Sequence, residues 1–592
     1  MARWVWLALL AGMAASGSAW SVEPGDKVEV PTFKDMRYLP RTIADFGAKK
    51  FYVLYFFSNT CPVAQRYMGA MAELDNTYRD NDIQFVGVNV SPADNIIDVA
   101  QFALEYQVFF PMVNDDTGAC AKALGITRTP EVAVLDGDMV LRYRGRVDDQ
   151  FRLGGVRPEP TRQDLKVTLD QLLAGEAVET PTTVAEGCLI TYPALPEPAE
   201  PVTFSEDIAP ILNQHCLQCH SQNGNAPFSL DNYAKASRRA DMIAEVVRDE
   251  RMPPWYAHPE YGTFTDDRSM PDSDKLLIEQ WVAGGAPEGD PSKLPPLPEF
   301  PAADEWSINP DVIVKAAMPS ALPKTGFIPY RYVLLPYEFE HDTYVEGIEI
   351  KSTNPKVIHH ANLFYASNSF EFTKSQNFIT GTVPGGMPTE VAPGVAIVIP
   401  KGSMMGLQIH YVTTGKVELD TPMVGLRFSK NPVKQRTYYN ILDARPLKIP
   451  PFERAHETVE TATIQDDVTL LALFSHMHVR GRDMAFYANY PDGTRETLLS
   501  LPNYNFDWQL TYYVNPGDKL LPKGTEVECV AHFDNSPFNP YNPDPTKEVR
   551  YGPQTVDEMS QGFIFYVKND ENLNLKVDPN TGYALDEVAS AN

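Results

Sequence analysis

Two proline-rich stretches divide the 592-residue chain into three parts. The first reads TYPALPEPAEPV and ends at Val202, and the second reads APEGDPSKLPPLPEFPAADEW and ends at Trp306. Proline fixes its own φ angle and lacks an amide proton, so such stretches favour extended, semi-rigid linkers. A chain of this length also exceeds what one hydrophobic core supports. The sequence therefore predicts a multidomain protein with linkers at residues 189–202 and 291–305.

The N-terminal residues have the pattern of a secretory signal peptide. The run MARWVWLALLAGMAASGSAW carries Arg3, a short apolar segment and then Gly17, Ser18 and Ala19. This segment is too short to span a bilayer comfortably, and no later stretch is long and apolar enough to cross one. We expect a signal peptide at residues 1–19, no membrane span, and an exported protein that is periplasmic or extracellular.

The charge balance bears on possible partners. The formal net charge is −28, and no basic cluster interrupts the acidic background. Nucleic acid and anionic membrane surfaces would repel such a chain. We therefore expect no nucleic-acid partner.

Residues 25–188 alternate between strand-like and helix-like patterns. FYVLYFF and IQFVGVNV are continuous apolar runs typical of buried strands, and PEVAVLDGDMVLRYRG predicts two strands joined by an Asp-Gly turn. This alternation predicts an α/β domain. Cys61 follows the first strand directly, and Thr129 and Pro130 precede a later one. The arrangement resembles the thioredoxin-like superfamily, in which a cysteine begins a helix opposite a cis-proline, so Pro130 is the candidate cis residue.

The redox chemistry of this domain stays open. A helix N-terminus lowers the pKa of a cysteine, which makes Cys61 a candidate redox thiol. The second cysteine of a thioredoxin C-x-x-C motif is replaced by Ala64. Peroxiredoxins resemble the domain more closely, since they use a single attacking cysteine, yet their upstream proline is Leu54 here. Cys120 or Cys188 could act as a resolving thiol, and an inert, structural Cys61 is the alternative.

Residues 203–290 are mostly helical in pattern and contain the sequence CLQCH. This is the attachment signature of c-type haem, in which two thiols form thioethers with the haem and the adjacent histidine binds iron. Cys216, Cys219 and His220 therefore predict one covalently bound haem c and a cytochrome c domain. A chance match or a zinc site is the alternative.

A second axial ligand for the haem iron must come from elsewhere in the chain. The sequence RMPPW contains Met252 and resembles small bacterial cytochromes c with an M-P-P-W motif and a terminal helix, here at residues 276–290. In that family the methionine is the distal ligand, and its thioether raises the reduction potential. His258 and Met270 are the competing candidates. Six-coordinate iron implies electron transfer rather than oxygen chemistry.

From Trp306 onward the sequence consists of short β-rich runs broken by glycine, proline and asparagine, which predicts all-β sandwich domains. Three runs contain histidines: KVIHHANLFYA, MMGLQIHYVTTG and LFSHMHVRG. His476 and His478 share one face of a strand, because side chains at i and i+2 point the same way. His359 and His360 are adjacent and could bind one metal only at a bulge or a strand end.

The motif order HH, Q-I-H-Y, H-x-H and then D-E-M resembles the copper type II, ascorbate-dependent monooxygenases. That family includes peptidylglycine alpha-hydroxylating monooxygenase and dopamine beta-hydroxylase. The resemblance implies two jelly-roll sandwiches, here at residues 306–448 and 449–570, each with one copper ion, facing each other across a solvent-filled cleft. Imidazole suits copper in both oxidation states, and a thioether favours Cu(I). The implied ligands are His359, His360 and His410 for the electron-supplying copper and His476, His478 and Met559 for the oxygen-binding copper.

Substrate recognition does not carry over from that family. Its peptide-hydroxylating member anchors the substrate with an arginine and a tyrosine at places occupied here by Phe474 and Phe563. We expect an apolar pocket and an unidentified small organic substrate. The sequence thus predicts a copper-dependent monooxygenase that uses O2, with electrons relayed by the haem from an external donor, either ascorbate or a redox protein. The alternative is a non-catalytic copper-binding or electron-transfer protein with a thiol-redox module.

Overall fold

The computed structural model describes residues 22–152, 154–192, 194–222, 224, 226–300, 305–366, 377–383 and 386–585. The expected signal peptide at residues 1–19 lies outside the described residues. The chain divides into two compact units, of which the first contains Met1–Pro92 and Phe110–Tyr192 and the second contains Ala93–Phe109 and Pro193–Asn592. Within the described ranges, no helix has the length and apolar character needed to cross a membrane.

The first unit is built on a seven-stranded sheet. Its strands, in spatial order, are Pro40–Arg41, Phe33–Asp35, Met112–Asn114, Ile83–Asn89, Phe51–Phe57, Glu131–Asp136 and Leu141–Gly145. Its helices are Pro62–Tyr78, Ala119–Ala123 and Asp164–Ala174. The central strand Phe51–Phe57 is parallel to Ile83–Asn89 and antiparallel to Glu131–Asp136, and it is buried over almost its whole length. The α/β prediction for this part of the chain is confirmed.

One helix inside the first predicted domain belongs to the second unit. The helix Ile96–Glu105 places Ile97 in the hydrophobic core of the C-terminal β strands. The Ser500 hydroxyl also donates a hydrogen bond of 2.7 Å to the Gln101 amide oxygen. The domain expected at residues 25–188 is therefore interrupted, because the apolar face of this helix is buried against strands far along the sequence.

The helical part of the second unit is consistent with the predicted pattern. Its α-helices are Ala209–His215, Leu217–His220, Tyr233–Ser237, Ala240–Arg248 and Asp272–Ala283, and a π-helical turn spans Phe204–Ile208. Trp281 lies fully buried in their shared core, and its indole N–H donates to the Pro287 carbonyl oxygen at 3.0 Å. The helix expected at residues 276–290 instead ends at Ala283, because Gly284 and Gly285 follow and Gly285 has a φ of +84°.

Residues from 312 onward form mostly β structure in two pairs of sheets. The first pair consists of Val312–Lys315, Pro422–Phe428, Thr343–Ser352, Val395–Ile399 and Gln435–Arg436, with Thr389–Glu390 alongside, and of Arg331–Glu338, Met404–Tyr411, Ile358–Ala366 and Phe378–Thr382. The second pair consists of Tyr438–Asp443, Gln561–Lys568, Val468–His476 and Thr511–Tyr513, with Leu520–Leu521 alongside, and of His456–Thr463, Glu526–Phe533, Gly481–Asn489 and Arg495–Leu501. Each pair encloses its own hydrophobic core. The prediction of a largely β remainder is confirmed.

The strand pairing moves one expected domain boundary. The strand Tyr438–Asp443 was expected in the first sandwich, at residues 306–448, but it pairs along its whole length with Gln561–Lys568. The second pair of sheets therefore begins before residue 449. The boundary between the two pairs of sheets depends on long-range strand pairing, which proline content does not predict.

We expect Trp281→Ala to destabilise the helical region by about 3–5 kcal/mol, because it removes a fully buried indole and leaves a cavity. Hydrogen–deuterium exchange of the helices Ala209–His215 and Ala240–Arg248 measures the effect locally. The exposed Ser273→Ala on the same helix as Trp281 is the control. Unchanged protection of both helices in Trp281→Ala would contradict the proposed role of the indole.

Candidate functional site

Three histidines meet on two neighbouring strands of the second unit. His359 and His360 lie on Ile358–Ala366, and His410 lies on Met404–Tyr411 directly opposite His360. The register shifts between Ile358 and His360, so the strand is irregular where the histidine pair sits. One nitrogen from each ring lies within 4.8 Å of the others. The irregularity lets the adjacent side chains of His359 and His360 reach one point. A bulge or a strand end was the condition for both histidines to bind one metal.

Burial sets the protonation of these rings. It holds the pKa of His360 well below its usual range, with the neighbouring His359 adding to the effect. Burial and the same neighbour lower the pKa of His410 to about 4. Near neutral pH both imidazoles are therefore uncharged, and each ring has one nitrogen lone pair able to bind a cation. The His410 Nδ1 atom is buried and has no hydrogen-bond partner among the described residues, which suits a metal ligand.

Polar neighbours orient the same rings. The His359 Nε2 atom lies 3.1 Å from an oxygen of Asp507, and its Nδ1 atom lies 3.1 Å from Nδ1 of His360. The His360 Nε2 atom lies 3.1 Å from the Tyr330 hydroxyl. A proton on His359 Nε2 shared with the Asp507 carboxylate leaves Nδ1 as the lone-pair nitrogen facing the cluster.

The second histidine pair lies at a strand end. His476 is the last residue of Val468–His476, and the ring centroids of His476 and His478 are 5.2 Å apart. Met477, between them, is buried in the opposite direction in the hydrophobic core. Burial lowers the pKa of both rings, that of His478 to about 3. The Nδ1 atom of His476 is 2.6 Å from the side-chain oxygen of Gln509, which fixes that ring.

A buried carboxyl group joins this pair to the D-E-M sequence. Glu558 accepts backbone N–H hydrogen bonds from His478 at 2.8 Å, from Arg480 at 2.7 Å and from Met559 at 3.3 Å. Burial raises the pKa of Glu558 to about 8 despite these donors. The partly buried Met559 is thus part of the segment that holds His478. Sequence reasoning passed over Glu558, although it stands inside the D-E-M motif.

The two histidine groups lie close together. The Tyr330 ring centroid lies 5.6 Å from His360, 5.1 Å from His410 and 6.5 Å from His478. The Phe506 ring likewise lies within 6.2 Å of His478 and within 6.0 Å of His360. Two aromatic rings therefore stand where the family resemblance led us to expect a solvent-filled cleft. No motif in the sequence singles out either ring.

A cavity opens beside the histidine groups. It is lined by His360, Phe474 and Gln509 and also by Asp266 and Arg268, which lie in the loop before the helix Asp272–Ala283. Phe474 itself packs in a buried aromatic cluster with Phe563, its partner on the neighbouring strand. The wall of this cavity is mixed in character, because a charged loop lies beside the apolar residues.

The sequence CLQCH, which we expect to attach haem, lies at a short helix. His220 ends the helix Leu217–His220, and its Nδ1–H donates to the Phe228 carbonyl oxygen at 3.0 Å. This hydrogen bond fixes the tautomer and leaves Nε2 with the lone pair needed to bind iron. Cys216 and Cys219 are free, partly exposed thiols on the same stretch. The side-chain amide of Gln218 donates to the Met387 sulfur at 3.0 Å, and Met387 lines the cavity beside His360.

The three candidates for the second haem ligand differ in environment. Met252 is partly exposed and follows the helix Ala240–Arg248. Met270 is buried in the core of the helical part. His258 is buried, and its Nε2 atom lies 3.7 Å from an Asp98 oxygen.

The thiol residues lie in the first unit. Cys61 precedes the helix Pro62–Tyr78, and its sulfur is 3.1 Å from the carbonyl oxygen of Thr129, whose bond to Pro130 is cis as predicted. Burial acts to raise the pKa of Cys61. Hydrogen bonding to the side chains of Thr129 and Cys188 and to backbone groups outweighs burial, so the pKa of Cys61 is lowered.

The two possible resolving cysteines differ in position. Cys188 pairs with Thr129 in antiparallel register, and the carbonyl oxygen of Thr129 lies 3.1 Å from the Cys61 sulfur. Cys120 is completely buried on the helix Ala119–Ala123, where its backbone N–H donates to Asp115 and burial raises the pKa of its thiol. Cys188 is therefore the cysteine that the structure places against Cys61.

Comparison with known proteins bears on the first unit. Residues 24–147 match the model of the AhpC/TSA family. A hypothetical protein from Sinorhizobium meliloti 1021 is 27% identical with a TM-score of 0.28, covering 29% of this chain and 97% of that chain. A putative thiol:disulfide interchange protein DsbE from Chlorobium tepidum is 19% identical with a TM-score of 0.22, covering 26% of this chain and 98% of that chain. No curated protein matches the chain. The family match defines residues 24–147 as a thioredoxin-like, thiol-redox domain.

Glu558→Gln should loosen the turn that carries His478. Each oxygen of Glu558 accepts at least one N–H, so an amide nitrogen in place of either oxygen leaves a buried donor unpaired, at a cost of about 1–3 kcal/mol. We expect the backbone amides of His478 and Arg480 to exchange with deuterium about tenfold faster. The control is Glu457→Gln, because the Glu457 side chain is 59% exposed on the strand His456–Thr463. Equal protection in both variants would show that Glu558 does not hold the turn.

Proposed function

We propose that the chain is a copper-dependent oxidoreductase that hydroxylates a small organic substrate with O2. The observation that carries the proposal is the meeting of two histidine groups around Tyr330 and Phe506. The donor set fits copper, since the imidazoles are neutral and the buried His410 Nδ1 lacks a partner among the described residues. Copper, when bound, supplies one-electron redox chemistry and O2 activation. The residues that would hold the two ions are His359, His360 and His410 for one and His476, His478 and Met559 for the other.

The chain's own groups prepare these ligands. The Asp507 carboxylate holds the proton on His359 Nε2, and the Gln509 oxygen holds the proton on His476 Nδ1, so the opposite nitrogen of each ring is free to bind. Glu558 keeps the turn after His476 in place through backbone hydrogen bonds. Tyr330 packs between the two groups and limits the water that reaches them.

The cavity bears on the class of substrate. Phe474 offers an apolar surface, while Arg268 and Asp266 offer charged groups on another wall. We infer a small organic substrate with an apolar portion near His360 and a polar or charged portion near Arg268.

We also propose that a haem c attached to Cys216 and Cys219 relays electrons from an external donor, either ascorbate or a redox protein. The hydrogen bond from His220 Nδ1 fits a histidine prepared to bind iron through Nε2. Gln218 lies within the attachment sequence and contacts Met387 on the cavity wall, and this contact supports the proposal that the haem passes electrons to the copper ions.

A second candidate function is a non-catalytic copper-binding or electron-transfer protein with a thiol-redox module. The AhpC/TSA match of residues 24–147 supports its thiol-redox half. The two candidates differ in whether O2 is consumed with incorporation into a substrate.

Metal analysis tests the ligand sets directly. We expect about two copper ions and one iron per chain after loading, because six copper ligands and one haem signature are present. His360→Ala should lower copper to about one ion per chain while leaving iron unchanged. Retention of two copper ions in this variant would exclude the three-histidine site.

Oxygen uptake separates the two candidate functions. With ascorbate and candidate substrates, we expect Met559→Ala to lose O2-dependent product formation, since it removes the thioether of the oxygen-binding set. Met318→Ala, at a position 77% exposed, is the matched control. Equal activity in both variants, or no product from the native protein with any reductant, would favour the non-catalytic candidate.

The haem potential distinguishes the two methionines. Loss of an axial thioether lowers the reduction potential of a c-type haem. We expect Met252→Leu to lower the potential and Met270→Leu, a change of similar volume in the helical core, to leave it unchanged. A lower potential in Met270→Leu alone would reassign the ligand.

Stopped-flow reduction of the haem should be followed by copper reduction in the intact protein. Haem reduction without later copper reduction would exclude the relay.

A further inference from the structure

A short strand beyond the AhpC/TSA match is fixed against the cis-proline loop. Cys188 pairs with Thr129 and Leu189 pairs with Arg128 in antiparallel register. The Arg128 guanidinium also donates to the Gly187 carbonyl oxygen at 2.9 Å. The family match ends at residue 147, so this strand is an addition to the domain that the match covers.

Gly187 allows the strand to come this close. A Cβ atom at this position would lie 2.0 Å from the carbonyl oxygen of Thr129, which no side chain could tolerate. Glycine permits the close approach of two backbones. The approach positions the next residue, Cys188, beside Thr129 and the cis-proline Pro130.

The two cysteines meet at Thr129. Cys188 pairs with Thr129 in antiparallel register, and the Cys61 sulfur lies 3.1 Å from the Thr129 carbonyl oxygen. Cys61 is only 1% exposed, whereas Cys188 is partly exposed. A reagent from solvent therefore reaches Cys188 before it reaches Cys61.

We propose that Cys61 and Cys188 form a dithiol–disulfide couple that exchanges with external thiols through Cys188. The proposal concerns the first unit alone and does not depend on copper or haem. In a C-x-x-C motif the second cysteine forms a disulfide with the first. Here Cys188, 127 positions after Cys61, takes that role. The external partner is a thiol, either on a small molecule or on a protein.

The exchange balances without a further reagent. An external thiolate attacks the Cys188 sulfur of the disulfide, a new bond forms between the two sulfurs, and Cys61 leaves as a thiolate. A second external thiolate then attacks the outer sulfur of this mixed disulfide and releases the Cys188 thiolate, which takes up a proton. The protein disulfide gains two electrons, and two external thiols become one disulfide. The reverse sequence lets an external disulfide oxidise the pair.

The chemistry of the two sulfurs agrees with this direction of attack. In thiol exchange the thiolate of lower pKa leaves faster, and access decides which sulfur is attacked. Hydrogen bonds lower the pKa of Cys61, whereas burial and the neighbouring Cys61 raise the pKa of Cys188 to about 11. Cys61 is thus the better leaving group and Cys188 the more accessible target.

Equilibration of the full-length protein in glutathione redox buffers tests the couple. After alkylation and proteolysis, mass spectrometry should detect a Cys61–Cys188 linked peptide whose amount follows the buffer potential. Cys120→Ala should keep this link, and Gly187→Ala should reduce its yield because the added methyl group displaces Cys188. A link from Cys61 to Cys120, or no link at any potential, would overturn the proposal.

Trapping of the mixed disulfide tests the order of attack. When the oxidised native protein reacts briefly with limiting reduced glutathione and is then quenched with an alkylating reagent, we expect glutathione on Cys188 and the alkyl group on Cys61, because Cys61 is enclosed. Peptide mass spectrometry locates both groups. Glutathione on Cys61 and the alkyl group on Cys188, or equal amounts of the two products, would reverse the assigned roles of the two sulfurs.

Discussion

The pairing of Ile358–Ala366 with Met404–Tyr411 is the constraint on which the histidine site depends. In this register His360 and His410 stand opposite each other, and the irregularity beside His360 brings His359 to the same point. In a regular strand His359 would face the other side of the sheet. A slip of one residue would also exchange the two faces and disperse the whole group. The site is therefore a consequence of backbone register rather than of flexible side chains.

Burial then gives the site its chemical character. Burial disfavours the charged form of each ring, and a charge on one ring would repel a charge on its neighbour, so the pKa values of His360, His410 and His478 are lowered. A buried nitrogen without a hydrogen bond, such as Nδ1 of His410, is costly to leave unpaired. A soft metal cation that accepts lone pairs from several rings offsets the cost of the unpaired nitrogen. A proton offsets less of this cost, because it places a full charge on a single buried ring.

The sequence predicts those features that depend on local pattern. The apolar run Phe51–Phe57 and the helix after Cys61 follow from residue order over a few positions, whereas the cis peptide bond at Pro130 follows from the resemblance to the thioredoxin-like superfamily. The requirement for an irregular strand at His359 and His360 also follows, from the alternation of side chains along a strand.

Features that depend on distant residues could not be predicted. The helix Ile96–Glu105 has an ordinary apolar face, and only the folded chain shows that Ile97 packs against C-terminal strands. Cys188 meets Cys61 because Gly187 fits against Thr129, a contact that no local pattern encodes. The loop that contains Arg268 forms part of the cavity wall together with residues far along the chain, and no local pattern encodes this either.

Electron counting connects the proposed activities. Hydroxylation of a C–H bond consumes one O2, two electrons and two protons and releases one water, so a donor must supply two electrons in each turnover. A haem carries one electron at a time, whereas a dithiol releases two. Under the proposal, a haem attached at Cys216 and Cys219 would supply electrons singly, and the two histidine groups would hold the two copper ions that accept them. The contact of Gln218 with Met387 joins the attachment sequence to the wall of the cavity beside His360, and it is the contact that supports this direction of transfer.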